Sequence, residues 1–161
     1  MIEVDITPTM IERAETLSKD LGKLNNSITK GEGNIAGFLG EIIFADLFNA
    51  DIKHTYDYDV VLKNGKRVDV KTKRTSVKPL PYYDCSIASY NTKQKCDEYA
   101  FVRIKYDLSK GWYLGKIDKE LYFKKSRFLK EGDIDPDNNF KVRADCYNLK
   151  IQELEIEKSS A

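Results

Sequence analysis

Residues 58–73, YDVVLKNGKRVDVKTK, predict a β-hairpin, because two runs rich in β-branched residues flank a polar turn that contains glycine. Two loop lengths are open. A two-residue loop would set Asp59 opposite Val70 and send Asp69 to the far face. A three-residue loop, Lys63–Gly65, with its glycine in the left-handed conformation closing a bulge, sets Asp59 opposite Asp69. Only this second register separates an acidic face from an apolar one, so we predict the bulged hairpin.

The two faces of the predicted hairpin differ in chemistry. One carries Asp57, Asp59, Asp69 and Lys71, and the other carries Tyr58, Val60, Val68 and Val70. Carboxylates directly opposite one another repel, and a bound cation reverses the sign of that interaction. Two acids that bind a hard divalent cation beside an ammonium group are the minimal equipment for metal-assisted phosphodiester hydrolysis. The alternative is a solvated hairpin with scattered charges, in a chain of which 33% is charged.

The order of these residues resembles the PD-(D/E)XK nuclease superfamily, which has the restriction-endonuclease-like fold. Asp59 in one strand and the run from Asp69 to Lys71 in the next would be the family's two acids and its lysine. Glu41, which follows a glycine, matches the glutamate that many members carry in a preceding helix. Tyr58 stands where a proline often precedes the first acid. The resemblance covers about residues 33–105.

The resemblance implies a Mg²⁺- or Mn²⁺-dependent nuclease, most consistent with a DNA endonuclease of restriction-enzyme or resolvase-like character. Asp59 and Asp69, with the backbone carbonyl of Val70, would hold the metal ion, and Lys71 would orient the attacking water. Glu41 would bind the metal through water, or bind a second metal directly. The alternative functions are a nucleic-acid-binding protein that keeps the fold without cutting, and a structural or inhibitor protein whose acidic face binds a cation or a partner.

A nucleic-acid partner is also suggested by the distribution of charge. The whole chain has a net charge of only +1. Between Lys63 and Lys78, however, cations strongly outnumber the single acid, and phosphate contacts supply much of the affinity for nucleic acids. The alternative is a solubilising surface. The predicted nucleic-acid contacts are Lys66, Arg67, Lys73, Arg74 and Lys78.

Size and composition predict one α/β domain that spans all 161 residues. No apolar run approaches the ~18 residues of a membrane span, and the segment Met1–Asp5 lacks the features of a signal peptide. An odd number of cysteines, three, favours reduced thiols and a cytoplasmic location. Small single-domain nucleases often act as homodimers to cut two strands, although the sequence itself shows no interface.

The resemblance implies an α/β fold with a restriction-endonuclease-like core, a central mixed β-sheet flanked by helices, and the order of helices and strands that hydrophobic periodicity predicts matches that core. The second predicted helix is apolar nearly all round and carries Glu41, which should therefore be buried and face a cation, a lysine or a metal-held water. The predicted helices span residues 9–21, 34–49 and 119–129. The predicted strands span residues 82–88, 98–104, 112–117 and 140–147, and residues 149–156 form a helix or a strand.

Other chemistries are less well supported by the sequence. His54 is the single histidine, has no nucleophile motif beside it, and is expected to be a partly exposed loop residue. The cysteines lack the short spacing of a zinc site. The glycines around Glu32 lack the lysine of a phosphate loop, and a flexible entry to the helix is expected instead. Asp57 is the reserve metal ligand, and Gln94 contacts either the site, the nucleic acid or solvent.

Overall fold

The structure, a computed structural model, describes residues 1–25, 35–135 and 139–156, and the side chains from residue 21 to residue 25 are not described. The predicted connector from Asn25 to Gly33 and the glycines around Glu32 therefore lie almost entirely outside the described residues. The helices are α1 (Pro8–Asn25), α2 (Ile35–Phe48) and α3 (Lys119–Lys125). The strands are β1 (Ile2–Asp5), β2 (Asp51–Ile52), β3 (Val60–Val61), β4 (Arg67–Thr75), β5 (Asp84–Ala88), β6 (Glu98–Lys105), β7 (Lys110–Asp118), β8 (Arg127–Leu129) and β9 (Cys146–Lys150).

The strands form two sheets. A six-stranded mixed sheet has the order β1-β7-β6-β4-β3-β2, in which β4 and β6 are parallel and the other neighbours are antiparallel. A three-stranded antiparallel sheet has the order β5-β9-β8. The fold is therefore a mixed α/β arrangement in which helices flank a mixed sheet. None of the helices in the described ranges is both long and apolar enough to cross a membrane.

The bulged register of the hairpin is confirmed. Val60 pairs with Val68 across β3 and β4, as the three-residue loop requires. The N–H groups of Leu62 and Gly65 donate to the carbonyls of Lys66 and Leu62, both at 2.9 Å. Gly65 has a φ of +86°, a left-handed conformation that favours glycine. This turn sets which hairpin side chains face one another.

The ladder between the two hairpin strands ends at Val60, two residues earlier than predicted, so the predicted pairs Asp59–Asp69 and Tyr58–Val70 are not formed. The N–H of Asp59 donates to the carbonyl of Val68 at 2.9 Å, so the backbone leaves the regular register before β3 begins. Tyr58 consequently does not share the apolar face of Val60. It packs against the opposite core, and the guanidinium of Arg67 lies 5.9 Å from the centre of its ring.

Two apolar cores lie on opposite sides of the six-stranded sheet. One is shared with α1 and α2 and includes Leu39, Ile42, Val68 and Val102. The other is shared with α3 and the three-stranded sheet, and its largest buried members include Tyr99, Tyr122 and Trp112. Because α2 is apolar nearly all round, it is held against β4, β6 and β7. This packing determines how deeply Glu41 is buried between α2 and the sheet.

Gly40 gives α2 its close approach to β4, and its replacement by alanine should be destabilising. A Cβ at this position would lie 1.9 Å from Thr72 Oγ1 and 3.0 Å from Thr72 Cβ. We expect Gly40→Ala to lower the free energy of unfolding by about 1–3 kcal/mol, the usual cost of overpacking. Gly37→Ala is the matched control, because a Cβ there meets nothing within 4 Å and gains helix propensity. Chemical denaturation measures both, and equal stability of the two variants would contradict the prediction.

Several predicted elements have different bounds or partners. The helix predicted for residues 119–129 ends at Lys125, and its remainder is strand β8. The strand predicted for residues 82–88 is present as β5, but it joins the smaller sheet rather than the central one. The strand predicted for residues 140–147 is shifted to β9, and residues beyond it form a 3-10 turn at Ile151–Glu153. The first helix is capped by Thr7, whose hydroxyl accepts from the N–H of Met10 at 3.2 Å.

Candidate metal centre

Three carboxylates from separate parts of the fold converge beside the hairpin. Glu41 comes from α2, Asp59 precedes β3, and Asp69 lies within β4. Their side chains are only 5%, 13% and 5% exposed, respectively. Asp59 is held in place because its Oδ2 accepts from the N–H of Val70 at 2.8 Å. Buried carboxylates carry a large desolvation cost, so this grouping calls for a partner of positive charge.

His54 joins these carboxylates, which the sequence did not indicate. Its Nδ1 lies 2.8 Å from Glu41 Oε1 and 3.8 Å from Asp59 Oδ1. The N–H groups of Lys53 and His54 both donate to the carbonyl of Asp59, at 2.8 and 2.9 Å, and close a tight loop. His54 itself has a φ of +51°, a left-handed conformation that costs a side chain of this size about 1 kcal/mol. The left-handed backbone at His54 is therefore conformationally unfavourable, and it directs the imidazole toward Glu41 and Asp59.

Glu41, His54 and Asp59 fit a divalent metal ion. Each offers one ligand atom, and these atoms lie within 4.8 Å of one another. Glu41 Oε1 already accepts from the imidazole, but Oε2 is buried and has no hydrogen-bond partner among the described residues. A buried carboxylate oxygen without a donor is expensive, and a metal ion would satisfy it. The donor set, two carboxylates and an imidazole, is one that first-row divalent metals use.

The acids of this centre hold protons more tightly than exposed acids do. Burial, and to a lesser extent the charge of Asp69, raises the pKa of Glu41 to about 7, although a contact with Asp59 opposes the shift. Burial, followed by the charges of Glu41 and Asp69, raises the pKa of Asp59 far above its ordinary value. Three neighbouring carboxylates cannot all be ionised in a desolvated site unless a cation is present. A metal ion would therefore displace protons when it binds.

The metal-free protein should lose stability as the pH rises from about 4 to about 8. In this window the folded state keeps protons on Glu41 and Asp59 that the unfolded chain releases, because both folded-state pKa values are raised. The folded state thus binds more protons, and the free energy of unfolding falls with pH. Thermal melts in EDTA across this range measure the effect, and saturating Mn²⁺ should reverse it. A metal-free melting temperature that is level or rises with pH would contradict the assignment.

Lys71 lies next to the centre rather than within it. Its Nζ is 2.7 Å from Asp69 Oδ2 and donates to Gln94 Oε1 at 3.1 Å. Gln94 in turn donates through Nε2 to the carbonyl of Tyr56 at 2.9 Å. The amide of Gln94 therefore fixes the ammonium group of Lys71 between the acids and the surface. The prediction left the place of Gln94 open, and the structure puts it in contact with Lys71.

Val70 and Asp57 were also predicted as metal ligands. The N–H of Val70 donates to Asp59 Oδ2, and metal binding by the carbonyl of Val70 stays a prediction. Asp57, the reserve ligand, accepts from the N–H of Lys95 at 3.0 Å, and so holds the segment after Gln94 instead of joining the acids. Asp69 lies beside the group of three potential ligands but is paired with Lys71.

The residues predicted to bind nucleic acid lie on different faces. Arg67 is paired with Asp97 at 3.2 Å, and Arg74 donates to the carbonyl of Tyr106 at 2.9 Å. Alternation along β4 puts Arg67 and Lys73 on one face and Arg74 on the other. Lys66 and Lys78 are exposed, at the tip of the hairpin and in the loop after β4.

No protein-family model matches the sequence, and no curated protein is found to match it. The chemistry that the centre can perform therefore follows from the positions of its own side chains.

The histidine is the functional residue that sequence reasoning missed. No motif surrounds His54, and its approach to Glu41 depends on a left-handed backbone and on the packing of its ring against Phe38, with 4.8 Å between ring centres. The one available signal was its position shortly before Asp59, in a loop that has to bring the chain back to β3.

Proposed function

We propose that this protein is a divalent-metal-dependent nuclease that hydrolyses phosphodiester bonds of DNA as an endonuclease. The observation that carries the proposal is the convergence of Glu41, partly exposed His54 and Asp59, whose potential ligand atoms lie within 4.8 Å of one another, with Glu41 Oε2 lacking a hydrogen-bond donor among the described residues. Beside it, Asp69 and Lys71 supply a further acid and an ammonium group. Acids that bind a cation, next to an ammonium, suit a reaction in which negative charge develops on a phosphate.

The proposal includes a restriction-endonuclease-like core. Support comes from the order of elements, in which α2 is followed by the antiparallel strands β2, β3 and β4, and then by β6 parallel to β4. The acids lie where α2 crosses the hairpin, and β4 contributes both Asp69 and Lys71. The third antiparallel strand beside the hairpin is β2, which precedes it, rather than the segment at residues 82–88, which was predicted to follow the hairpin as the third strand.

Each side chain has a distinct task in the proposed mechanism. Glu41, His54 and Asp59 would hold the metal ion, and the charge of nearby Asp69 would help to neutralise it. A divalent ion held by these residues would supply Lewis-acid chemistry, which polarises a phosphate oxygen and activates water. Lys71 orients that water and offsets negative charge in the transition state, and Gln94 keeps its ammonium group in position.

The imidazole of His54 influences which metal ion supports activity. Mg²⁺ prefers oxygen ligands and keeps several of its waters, whereas imidazole nitrogen suits later first-row metals. Mn²⁺ accepts both donor types more readily than Mg²⁺. We therefore expect both ions to support cleavage, and Mn²⁺ to do so at the lower concentration.

Incubation with DNA in the presence and absence of metal tests the proposal. Circular, linear and branched DNA and an RNA of matched length are incubated with Mg²⁺, with Mn²⁺, or with EDTA. We expect cleavage of circular DNA that EDTA abolishes and that Asp69→Asn lacks, because the variant keeps the shape of the residue but loses its charge. Retention of DNA without cutting would favour the non-catalytic alternative. Wild-type cleavage rates in Asp69→Asn would refute the assignment of this centre.

A further inference from the structure

A cavity of about 550 Å³ lies between the two sheets, outside the metal centre. This volume is within the ~300–1,000 Å³ range of small-molecule sites. Its lining includes Lys73 and Arg103 from the central sheet, Ser86 and Asn148 from the smaller sheet, and the rings of Tyr82 and Phe140. We call it the inter-sheet cavity. Cations on one wall and aromatic rings on another are what a nucleotide requires.

Lys73 and Arg103 form the cationic wall. They are register partners on the neighbouring parallel strands β4 and β6, so their side chains leave the sheet side by side. The guanidinium of Arg103 is buried, lies 5.4 Å from the ring centre of Tyr83, and donates to the carbonyl of Asp84 at 2.9 Å. Burial lowers the pKa of both cations, and their mutual repulsion lowers that of Lys73 further.

Among the described residues, neither cation has a carboxylate as a direct partner. Within residues 1–25, 35–135 and 139–156, neither Lys73 nor Arg103 has an ion-pair partner within 4.0 Å. The carboxylates of Asp84 and Asp135 also line the cavity, but they are paired with Arg127 at 3.0 and 3.6 Å, and the charge of Asp84 acts on the two cations only at longer range. Two adjacent cations without a direct ion pair are costly, and a phosphate group held between them would offset that cost.

Another wall of the inter-sheet cavity carries aromatic rings that could stack on a nucleobase. Tyr82 and Phe140 line the cavity and are 60% and 53% exposed. The ring of Tyr82 also contacts that of Tyr83 edge-on at 5.3 Å, and the guanidinium of Arg143 lies 5.9 Å from the ring centre of Phe140. The amide of Asn148 is buried behind these rings, where its Oδ1 accepts from Ser86 and its Nδ2 contacts only the sulfur of Cys146, a weak acceptor. Stacking on aromatic rings tolerates any base, whereas a buried amide can read one edge of it.

The inter-sheet cavity is connected with the metal centre. A smaller cavity of about 70 Å³ is lined by Lys71, Lys73 and Arg103, and so bridges the ammonium of Lys71 and the cationic wall. Asp69, Lys71 and Lys73 alternate along the same face of β4, about 7 Å apart for each two residues. This spacing is comparable to that of successive phosphates along an extended strand. A strand with one phosphate at Lys71 therefore presents a neighbouring phosphate to Lys73.

We infer that the inter-sheet cavity binds one unpaired nucleotide of the substrate strand beside the scissile phosphate, with its phosphate on Lys73 and Arg103 and its base against Tyr82 and Phe140. The inference rests on the proposed nuclease function and specifies its substrate. A rigid duplex keeps its bases stacked inside, so only single-stranded, frayed or branched DNA can fill the cavity without the cost of unpairing. Such substrates are bound in preference to intact duplex.

Binding of labelled DNA in EDTA tests this inference without cleavage. A short single-stranded oligonucleotide, the matching duplex and free thymidine monophosphate are titrated with wild type, Lys73→Met and Tyr82→Ala. Each substitution should weaken single-strand binding about tenfold, the usual effect of losing one stacked base or one phosphate contact, and should change duplex binding less than about twofold. Lys124→Met and Tyr90→Ala are the matched controls, because both residues are exposed and lie outside the cavity lining.

The outcomes separate the inference from the function on which it rests. Selective loss of single-strand binding in Lys73→Met and Tyr82→Ala, with unaffected controls and unchanged melting temperatures, supports the inference. Wild-type binding by both variants, in a protein that still cuts DNA with Mn²⁺, overturns the inference and leaves the nuclease proposal standing. Tight binding of thymidine monophosphate that Lys73→Met abolishes, with no binding of the oligonucleotide, overturns the assignment to a DNA strand and identifies a free nucleotide as the ligand.

Discussion

Asp59→Asn should abolish metal-dependent cleavage and, at the same time, stabilise the metal-free protein at neutral to alkaline pH. Burial and two neighbouring acids raise the pKa of Asp59, so ionisation of this residue opposes folding once the pH exceeds its unfolded-state value of 3.8. Asparagine removes that ionisable group, and its Oδ1 can still accept from the N–H of Val70. Its amide can also donate to the orphaned Glu41 Oε2.

Asp59→Asn should change both the rate of cleavage and the stability of the metal-free protein by large amounts. Loss of a metal ligand should reduce cleavage by at least about 1,000-fold, a change typical of removing a group that stabilises the transition state. The metal-free variant should gain about 2 kcal/mol in its free energy of unfolding at pH ~8, or roughly 5 °C in Tm. Cleavage assays and thermal melts in EDTA measure the two quantities on the same preparation.

Asp46→Asn is the matched control for Asp59→Asn. Asp46 lies on the exposed side of α2, where its carboxylate is 52% exposed and pairs with Arg13 at 3.0 Å. The same change of charge there should leave cleavage unaltered and stability within about 0.5 kcal/mol of wild type. A variant Asp59→Asn that is both inactive and less stable than wild type in EDTA would mean that Asp59 is a structural residue.

Lys71→Met should reduce cleavage by about 100- to 1,000-fold and leave metal binding largely intact. Lys71 is not one of the three potential metal ligands, and its ammonium group lies between Asp69 and Gln94. Methionine keeps the length of the side chain but removes the charge that would orient water and stabilise the transition state. Single-turnover cleavage and calorimetric titration with Mn²⁺ separate these two properties.

Lys71→Met also removes the ion-pair partner of Asp69, and a control has to separate this effect from the loss of the catalytic charge. Removal of the ammonium leaves Asp69 without its ion pair, so the variant should be less stable without metal and regain stability when Mn²⁺ is added. Lys124→Met, on the exposed side of α3, should retain cleavage within about threefold. Lost Mn²⁺ binding in Lys71→Met, with an intact fold, would show that the lysine positions the metal site rather than the reaction.

The hairpin was predictable because its determinants are local. The three-residue loop with a left-handed glycine permits one register, and the alternation of acidic and apolar residues selects the same one. The burial of Glu41 was predictable for a similar reason, since a helix that is apolar nearly all round has no exposed side on which to place it. Both predictions depended on residues close together in the chain.

The sequence-based predictions were wrong where a strand pairs with a segment that is distant in the chain. The segment that forms β5 has strand propensity, but its partner is β9, more than fifty residues later, and not the hairpin. Residues 119–129 have a helical pattern throughout, yet Arg127 to Leu129 form a strand because they pair with β9. Local propensity is the weaker influence wherever a sheet offers an unpaired edge.

The sequence by itself determined that Asp59, Asp69 and Lys71 would lie on one hairpin and that Glu41 would be buried, because periodicity and turn chemistry act over a few residues and leave little choice. Only the tertiary structure decided that Glu41 and His54 meet these acids, that Asp57 does not, and that Lys73 and Arg103 share a cavity wall. Those contacts connect segments that are far apart in the chain. They arise from the packing of α2 and the second sheet against opposite faces of the central sheet, and no local pattern encodes that packing.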